Sequence, residues 1–378
     1  MYNVLAASDH MGGLGGVCRW AVGVGGWDNN TAFDTLMDLF FADPEAPGGG
    51  LGLTQVRYNI GGSDNAAGDA HFLRAGGFVQ TYEPSKGQWD WTADGESSTL
   101  CLCVSWLVVL HEELFFAATQ RRVLTAAQYR GVRFVQGFSN SPPYWMTVSG
   151  SVTGNKDGTK DNLKAGSFDD FAQHLATVTA HFHHDFNITF DSVTPLNEPV
   201  TGWWKYGNQQ EGCHFDKSSQ SRIVGLTGKA LRSKGLPADL GVSGPEENRI
   251  QDSVSSVEAY RSTDLASLQL ITTHTYNGAS GSREALSRLA SKEGKRLWAS
   301  EYGDGDVSGL TLAARITTDL NKLNCSVWTL WQVVGLELSV LTNIRVLNRS
   351  KMRAHSMGPC KYSLRILTTA SRPGVAGE

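Results

Sequence analysis

Two glutamates stand where apolar runs give out. The stretch FDSVTPLNEPVTGWW (190–204) alternates like a buried strand and then stops at Asn197-Glu198-Pro199; farther on, RLWASEYGDGD (296–306) stops at Glu301-Tyr302. Other runs of the same kind end in Arg57-Tyr58-Asn59, Ser139-Asn140-Ser141-Pro142, Pro245-Glu246-Glu247-Asn248, His274-Thr275-Tyr276 and Trp331-Gln332. One glutamate at a strand end is ordinarily a solvated rim residue. Two of them facing one pocket among Arg, His, Tyr and Trp suit glycoside hydrolysis, in which one carboxyl protonates the leaving oxygen. In the retaining variant the other carboxylate attacks the anomeric carbon. The proton donor should be raised in pKa by burial and a neighbouring carboxylate, and the nucleophile held ionised by a cation such as Arg57. Asn197 offers an amide to a sugar 2-hydroxyl.

These residues need a scaffold that gathers strand ends. Short runs rich in Val, Ile and Thr at 54–60, 132–138, 189–196, 239–244, 269–275, 296–301 and 325–331 read as strands, with a glycine-rich first strand expected within 9–16. Helix-like stretches lie between most of them. SFDDFAQHLATVTAHFHHDF (167–186) opens on Ser167 as an N-cap and places Phe168, Phe171, Leu175, Val178 and Phe182 at helical spacing. SGLTLAARITTDLNKL (308–323) repeats the pattern with Leu310, Leu312, Ile316 and Leu320. Eight strands with intervening helices predict an α/β fold, a (β/α)8 TIM barrel whose chemistry sits at the C-terminal rim. A doubly wound open sheet is the alternative, but GGLGGVC and GVGGWD both fail the G-x-G-x-x-G pattern of its phosphate loop.

Composition removes several function classes. The chain has 378 residues and a formal net charge of −4 with no long basic run, which argues against nucleic acid as a partner. Its 11 tryptophans fit either core filling or a sugar-stacking groove. The six cysteines form no CxxC pair, which argues against zinc; no metal and no cofactor are expected. His181 and His184 in HFHHD stand at i, i+3 on a helix, away from the expected rim. No G-x-S-x-G elbow occurs. The apolar stretch TLCLCVSWLVVLHEELFFAA (99–118) is broken by His111, Glu112 and Glu113, too soon to span a bilayer, so no membrane partner is expected. MYNVLAASDHMGG lacks the pattern of a signal peptide.

The strings LGLTQVRYNIGGS, FSNSPPYWMTVSGSVTG, VTPLNEPVTGWWKYGNQQEGCHF, SGPEEN and HTYNG, with RLWASEYGDGD, resemble glycoside hydrolase family 30 of clan A, and within it the fungal endo-β-1,6-galactanases. The likeness covers about 50–95 and 120–335. It implies Glu198 as acid/base and Glu301 as nucleophile, with Asn197 on the 2-hydroxyl. It places Arg57, His274, Tyr276 and Trp331 around the −1 sugar. Trp145, Trp203 and Trp204 are candidates to stack galactose units, and Glu246 or Glu247 to bind substrate or to cap the following helix. The implied product is a secreted, monomeric, retaining hydrolase of β-1,6-galactan, as in arabinogalactan side chains. The alternatives are another family 30 specificity (β-1,6-glucan or xylan) or a non-catalytic carbohydrate-binding remnant. The expected organisation is a barrel over 1–335, with an atypical apolar insertion at about 95–119, and a short remnant of the family's side β-sandwich at 336–378.

Overall fold

The computed structural model describes residues 3–8, 19–62, 73, 78–85, 87–93, 119–306 and 308–331. Apart from Thr119, the insertion at about 95–119 lies outside them, as does the remnant at 336–378. Eight parallel strands form a closed barrel: β1 (Asn3–Ser8), β2 (Gln55–Asn59), β3 (Phe134–Phe138), β4 (Ser192–Thr194), β5 (Gly241–Arg249), β6 (Leu268–Asn277), β7 (Arg296–Tyr302) and β8 (Val327–Trp331). β1 pairs with β8 on one side and β2 on the other, which closes the ring and rules out the open sheet.

The first strand is a correction to the sequence reading. It runs through NVLAAS at 3–8 rather than within 9–16. The earlier run carries a β-branched and several apolar residues, whereas glycine, dominant in 9–16, weakens a strand. β4 is shorter than the expected 189–196. The Thr194 hydroxyl accepts a bond from the Leu196 N–H at 3.3 Å, a local turn that takes the chain off the ladder just before Asn197.

The helices are α1 (Arg19–Gly25), α2 (Asn30–Phe41), α3 (Thr119–Tyr129), α4 (Phe168–His184), α5 (Lys217–Arg232), α6 (Ile250–Ala259), α7 (Ser262–Leu265), α8 (Ser282–Lys292) and α9 (Leu310–Thr318). In α4 the five apolar residues expected to face the core are all buried. Ser167 does occupy the N-cap position, but its side chain makes no capping bond; Asp169 and Asp170 fill the first turn, where a helix dipole favours negative charge. α9 departs from expectation, because none of its residues is buried and Leu310 is 74% exposed. Leu312 and Ile316, with Leu320 beyond the helix end, pack only against the edge of the core. No helix among the described residues is long and apolar enough to cross a membrane.

Strand alternation sorts side chains between two environments. Tyr58 of β2 faces the helices, its ring 4.8 Å from that of Phe182 on α4. Its neighbour Arg57 faces the barrel interior instead. That interior is polar: Gln55 meets Thr329 at 2.5 Å, and Gln136 meets Ser243 at 2.9 Å. Bonds between side chains of different strands hold this interior, and the C-terminal ends of the strands stand above it.

Candidate active site

Each catalytic candidate takes its place from a strand end. Glu301, the penultimate residue of β7, is buried; its carboxylate accepts from Arg57 Nη1 at 2.7 Å and from the Tyr276 hydroxyl at 3.0 Å. Glu198 follows β4 and keeps 7% of its surface exposed, so a substrate can reach it. Its Oε1 accepts from Asn248 Nδ2 at 2.7 Å and from His274 Nδ1 at 3.0 Å. The same His274 Nδ1 lies 3.3 Å from Glu301 Oε1, so one buried imidazole bridges both carboxylates. One oxygen from each glutamate and one His274 nitrogen all lie within 4.8 Å of one another.

Glu246 organises the layer beneath. Its carboxylate has no exposed surface and accepts from Gln136 Nε2 at 2.6 Å and from the Ser300 hydroxyl. Arg57 Nη2 lies 3.7 Å and His274 Nε2 3.4 Å from it. The expected substrate contact from Glu246 is therefore replaced by a supporting one, because the side chain is sealed under the two cations that face Glu301. Nor do Glu246 and Glu247 cap α6, whose N-cap is Arg249.

Electrostatics follow from burial and from these contacts. Burial raises Glu246, but Arg57, His274 and Ser300 outweigh it and hold the carboxyl at about 2. Burial pulls His274 down, yet the carboxylates of Glu301, Glu198 and Glu246 lift it to about 10. Burial pushes Glu301 up to about 8 against the pull of His274 and Arg57. The expectation that Arg57 keeps Glu301 ionised is thus met in position but not in balance, since desolvation is the larger effect. Tyr276 is raised well above its usual 10 by burial and by Glu301, so it stays a neutral donor.

The sign of the pH dependence is the same for the two lifted groups. In the unfolded chain the Glu301 carboxyl titrates at 4.5 and the His274 imidazole at 6.5; folding raises both, so the folded site retains protons that the unfolded chain releases. Their stabilisation is complete below the unfolded values and is lost as pH climbs through about 8 and about 10. Glu246 works oppositely: its contribution is present above 4.5 and is lost as pH falls through about 2. The melting temperature is expected to fall between pH 6.5 and 10, with a slope of up to about 1.4 kcal/mol per pH unit for each proton. Thermal unfolding across that range checks this, and a flat or rising profile contradicts it.

The remaining predicted residues divide. Asn197, next to Glu198 in the chain, and Trp331 are both buried, and Gly303 lets the chain after Glu301 pass Trp331, whose carbonyl would lie at 1.9 Å from an added Cβ. Trp203 is 48% exposed on the loop after β4, and Trp145 is half-buried, its ring edge-on to Tyr144 at 5.2 Å. Trp204 is a correction: it is 2% exposed, and its Nε1 donates to the Glu198 carbonyl at 3.0 Å. Its ring lies over Gly212, where a Cβ would come within 2.0 Å. His181 and His184 stay apart from the site: His181 stacks on Trp91 at 3.6 Å and pairs with Asp185, while His184 faces the Lys234 carbonyl.

Sequence reasoning passed over several supporting groups. Asn248 was visible in SGPEEN but carried no assigned role. Gln136 and Ser300 gave no signal. Glu211, wholly buried, accepts from Asn59 Nδ2 at 3.0 Å and from the Gly62 N–H at 2.8 Å, and so ties the chain after β2 to the loop after β4.

Residues 116–268 match the model of O-glycosyl hydrolase family 30. The matched segment runs from just before α3 to the first residue of β6. The chain is 32% identical over 324 residues to an endo-β-1,6-galactanase from Hypocrea rufa, an alignment covering 83% of this chain and 64% of that protein. The chain therefore spans less than two thirds of that relative's length. Among solved structures, a conserved exported protein from Bacteroides fragilis superposes with a TM-score of 0.68 at 23% identity, covering 89% of this chain and 70% of the other. The catalytic domain of the family 30 xylanase C from Talaromyces cellulolyticus superposes with a TM-score of 0.58 at 17% identity, covering 86% and 69%. At these identities the family 30 structures speak for the fold alone.

Proposed function

We propose that the protein is a retaining endo-hydrolase of β-1,6-galactan. The observation that carries the reaction class is the bridged pair of glutamates, with oxygens from Glu198 and Glu301 within 4.8 Å of each other and of His274. Retaining enzymes hold their carboxyl groups about 5–5.5 Å apart, whereas inverting ones leave about 6.5–9.5 Å for a water. In this reading a Glu301 oxygen attacks the anomeric carbon while Glu198 protonates the departing glycosidic oxygen, giving a glycosyl ester on Glu301. Glu198, now ionised, takes a proton from water; the water oxygen attacks the same carbon and frees Glu301. Arg57, His274 and Tyr276 orient the nucleophile and balance its charge, and Asn197 binds the 2-hydroxyl. Trp203 and Trp145 offer ring faces to flanking sugars; Trp331 lines the −1 site.

The choice of galactan rests on the likeness to the Hypocrea rufa enzyme. In this reading the natural polysaccharide is the side chains of arabinogalactan, met outside the cell by a monomeric enzyme. Product analysis on β-1,6-galactan, β-1,6-glucan and xylan tests the substrate. Galactose oligomers from the first are expected. Glucose or xylose oligomers without galactose oligomers would replace galactan with another specificity, and binding without cleavage by folded protein would favour a non-catalytic role.

A further inference from the structure

We propose that Glu247 is a positioning residue for Glu198: its ionised carboxylate, with its chain neighbours Glu246 and Asn248, holds the acid/base loop against β5. The inference rests on the hydrolase reading and adds to it a control on the proton donor.

Three bonds join three consecutive residues of β5 to Glu198 and Val200 in the loop after β4. The Glu246 carbonyl accepts from the Glu198 N–H at 2.8 Å. Glu247 Oε2 accepts from the Val200 N–H at 3.2 Å, and Asn248 Nδ2 donates to Glu198 Oε1 at 2.7 Å. Pro199, between the two held N–H groups, has none to offer. The clamp matters because Glu198 sits at φ +48°, a left-handed conformation that a residue with a Cβ adopts only where its surroundings impose it.

Glu247 is wholly buried, and its hydrogen bonds go to Val200, Gln220 and Ser256 rather than to Glu301 or His274, so the reaction described above leaves its charge unused. Its other oxygen accepts from Gln220 Nε2 of α5 at 3.0 Å and from Ser256 Oγ of α6 at 2.7 Å. All three donors are neutral. Gln220 has little freedom to reverse its amide, because its Oε1 already accepts from the Tyr260 hydroxyl at 3.0 Å. A proton on Glu247 removes the charge that these donors serve and turns one accepting oxygen into a donor, which Ser256 can meet only by reversing its hydroxyl, so the set is weakened. The titratable groups around it are Asp252 of α6, whose charge raises it, and Tyr260 at the end of α6. Burial first, then Asp252, lift Glu247 to about 7 against its donors.

Glu247→Gln reproduces the protonated state at every pH. The test compares kcat/KM of the variant with wild type on β-1,6-galactan from pH 5 to 9, as a ratio that cancels the titration of Glu198 and Glu301. The ratio is expected to lie near one at low pH and to fall about tenfold through a midpoint near 7. On an aryl galactoside with a good leaving group, which needs little protonation, it should stay near one throughout. A ratio that is unity at all pH values, or reduced equally on both substrates and at all pH values, overturns the proposal. Should Glu247→Gln fail to fold, Ser256→Ala decides: loss of one donor to the anion should lower kcat/KM only in a window above pH 7, with recovery at higher pH. A Ser256→Ala profile that superimposes on wild type overturns the proposal as well. Wild-type turnover is measured first; its absence defeats the hydrolase reading, whereas turnover with a pH-independent ratio defeats only this inference.

Discussion

Replacing Glu301 by glutamine is expected to abolish turnover of β-1,6-galactan, with kcat lowered on the order of 10⁴- to 10⁶-fold, the range seen when a covalent nucleophile is removed. An amide oxygen is a poor nucleophile and cannot form the glycosyl ester. The surroundings sharpen the expectation. Arg57 Nη1, the Tyr276 hydroxyl and His274 Nδ1 all present donors to this carboxylate, at 2.7, 3.0 and 3.3 Å. A glutamine there turns an NH2 toward at least one of them, so the substitution removes the nucleophilic oxygen and also spoils the cradle that orients it. Reducing-end release from galactan, measured on protein whose near-UV circular dichroism matches wild type, checks the result. Residual activity within tenfold of wild type would move the nucleophile elsewhere.

Glu198→Gln has a different signature. Loss of the proton donor should lower kcat/KM on polysaccharide by about 10²- to 10⁴-fold, the usual contribution of general acid catalysis. An aryl galactoside whose leaving group departs as a stable anion should keep most of its kcat/KM. Its second step still needs a base to activate water, so glycosyl-enzyme should accumulate and appear as a burst of aryl alcohol. The fold tolerates the change, because Asn248 and His274 both donate to the same Oε1, where an amide oxygen can accept from both. Equal losses on the two substrates, with no burst, would reverse or cancel the assignment of roles between Glu198 and Glu301.

Much of this site could be read before any coordinates existed, because the relevant patterns are local. An alternating apolar run that stops at Asn197-Glu198-Pro199 announces a strand end, and the spacing of Phe168, Phe171, Leu175, Val178 and Phe182 announces a buried helix face. Both follow from periodicity, which each segment carries alone. The short β4 and the early β1 were misplaced for an equally physical reason. A strand's extent depends on which neighbour offers hydrogen bonds, and neither the Thr194 side-chain turn nor the pairing of β1 with β8 is written in its own segment.

The tryptophans and the paired glutamates of SGPEEN show the limit most clearly. Sequence places Trp203 and Trp204 side by side; only packing separates them, one half exposed, the other buried with its indole N–H on the Glu198 carbonyl. Likewise Glu246 and Glu247 are adjacent carboxylates of the same kind. A register shift between Pro245 and Glu247, with Glu246 at φ +59°, turns the first under Arg57 and His274 and the second toward Val200, Gln220 and Ser256. From the first set Glu246 gains cations that keep it ionised, while Glu247 has only neutral donors.

By itself, then, the sequence determined which residue types arrive at the strand ends and that strands alternate with helices around them, since both depend on spacing along the chain. Only the tertiary structure decided which carboxylates share His274, which one is sealed beneath, and which one braces the acid/base loop. Those outcomes depend on barrel closure and on the relative register of neighbouring strands, which bring together residues distant in sequence and set how far each is removed from water.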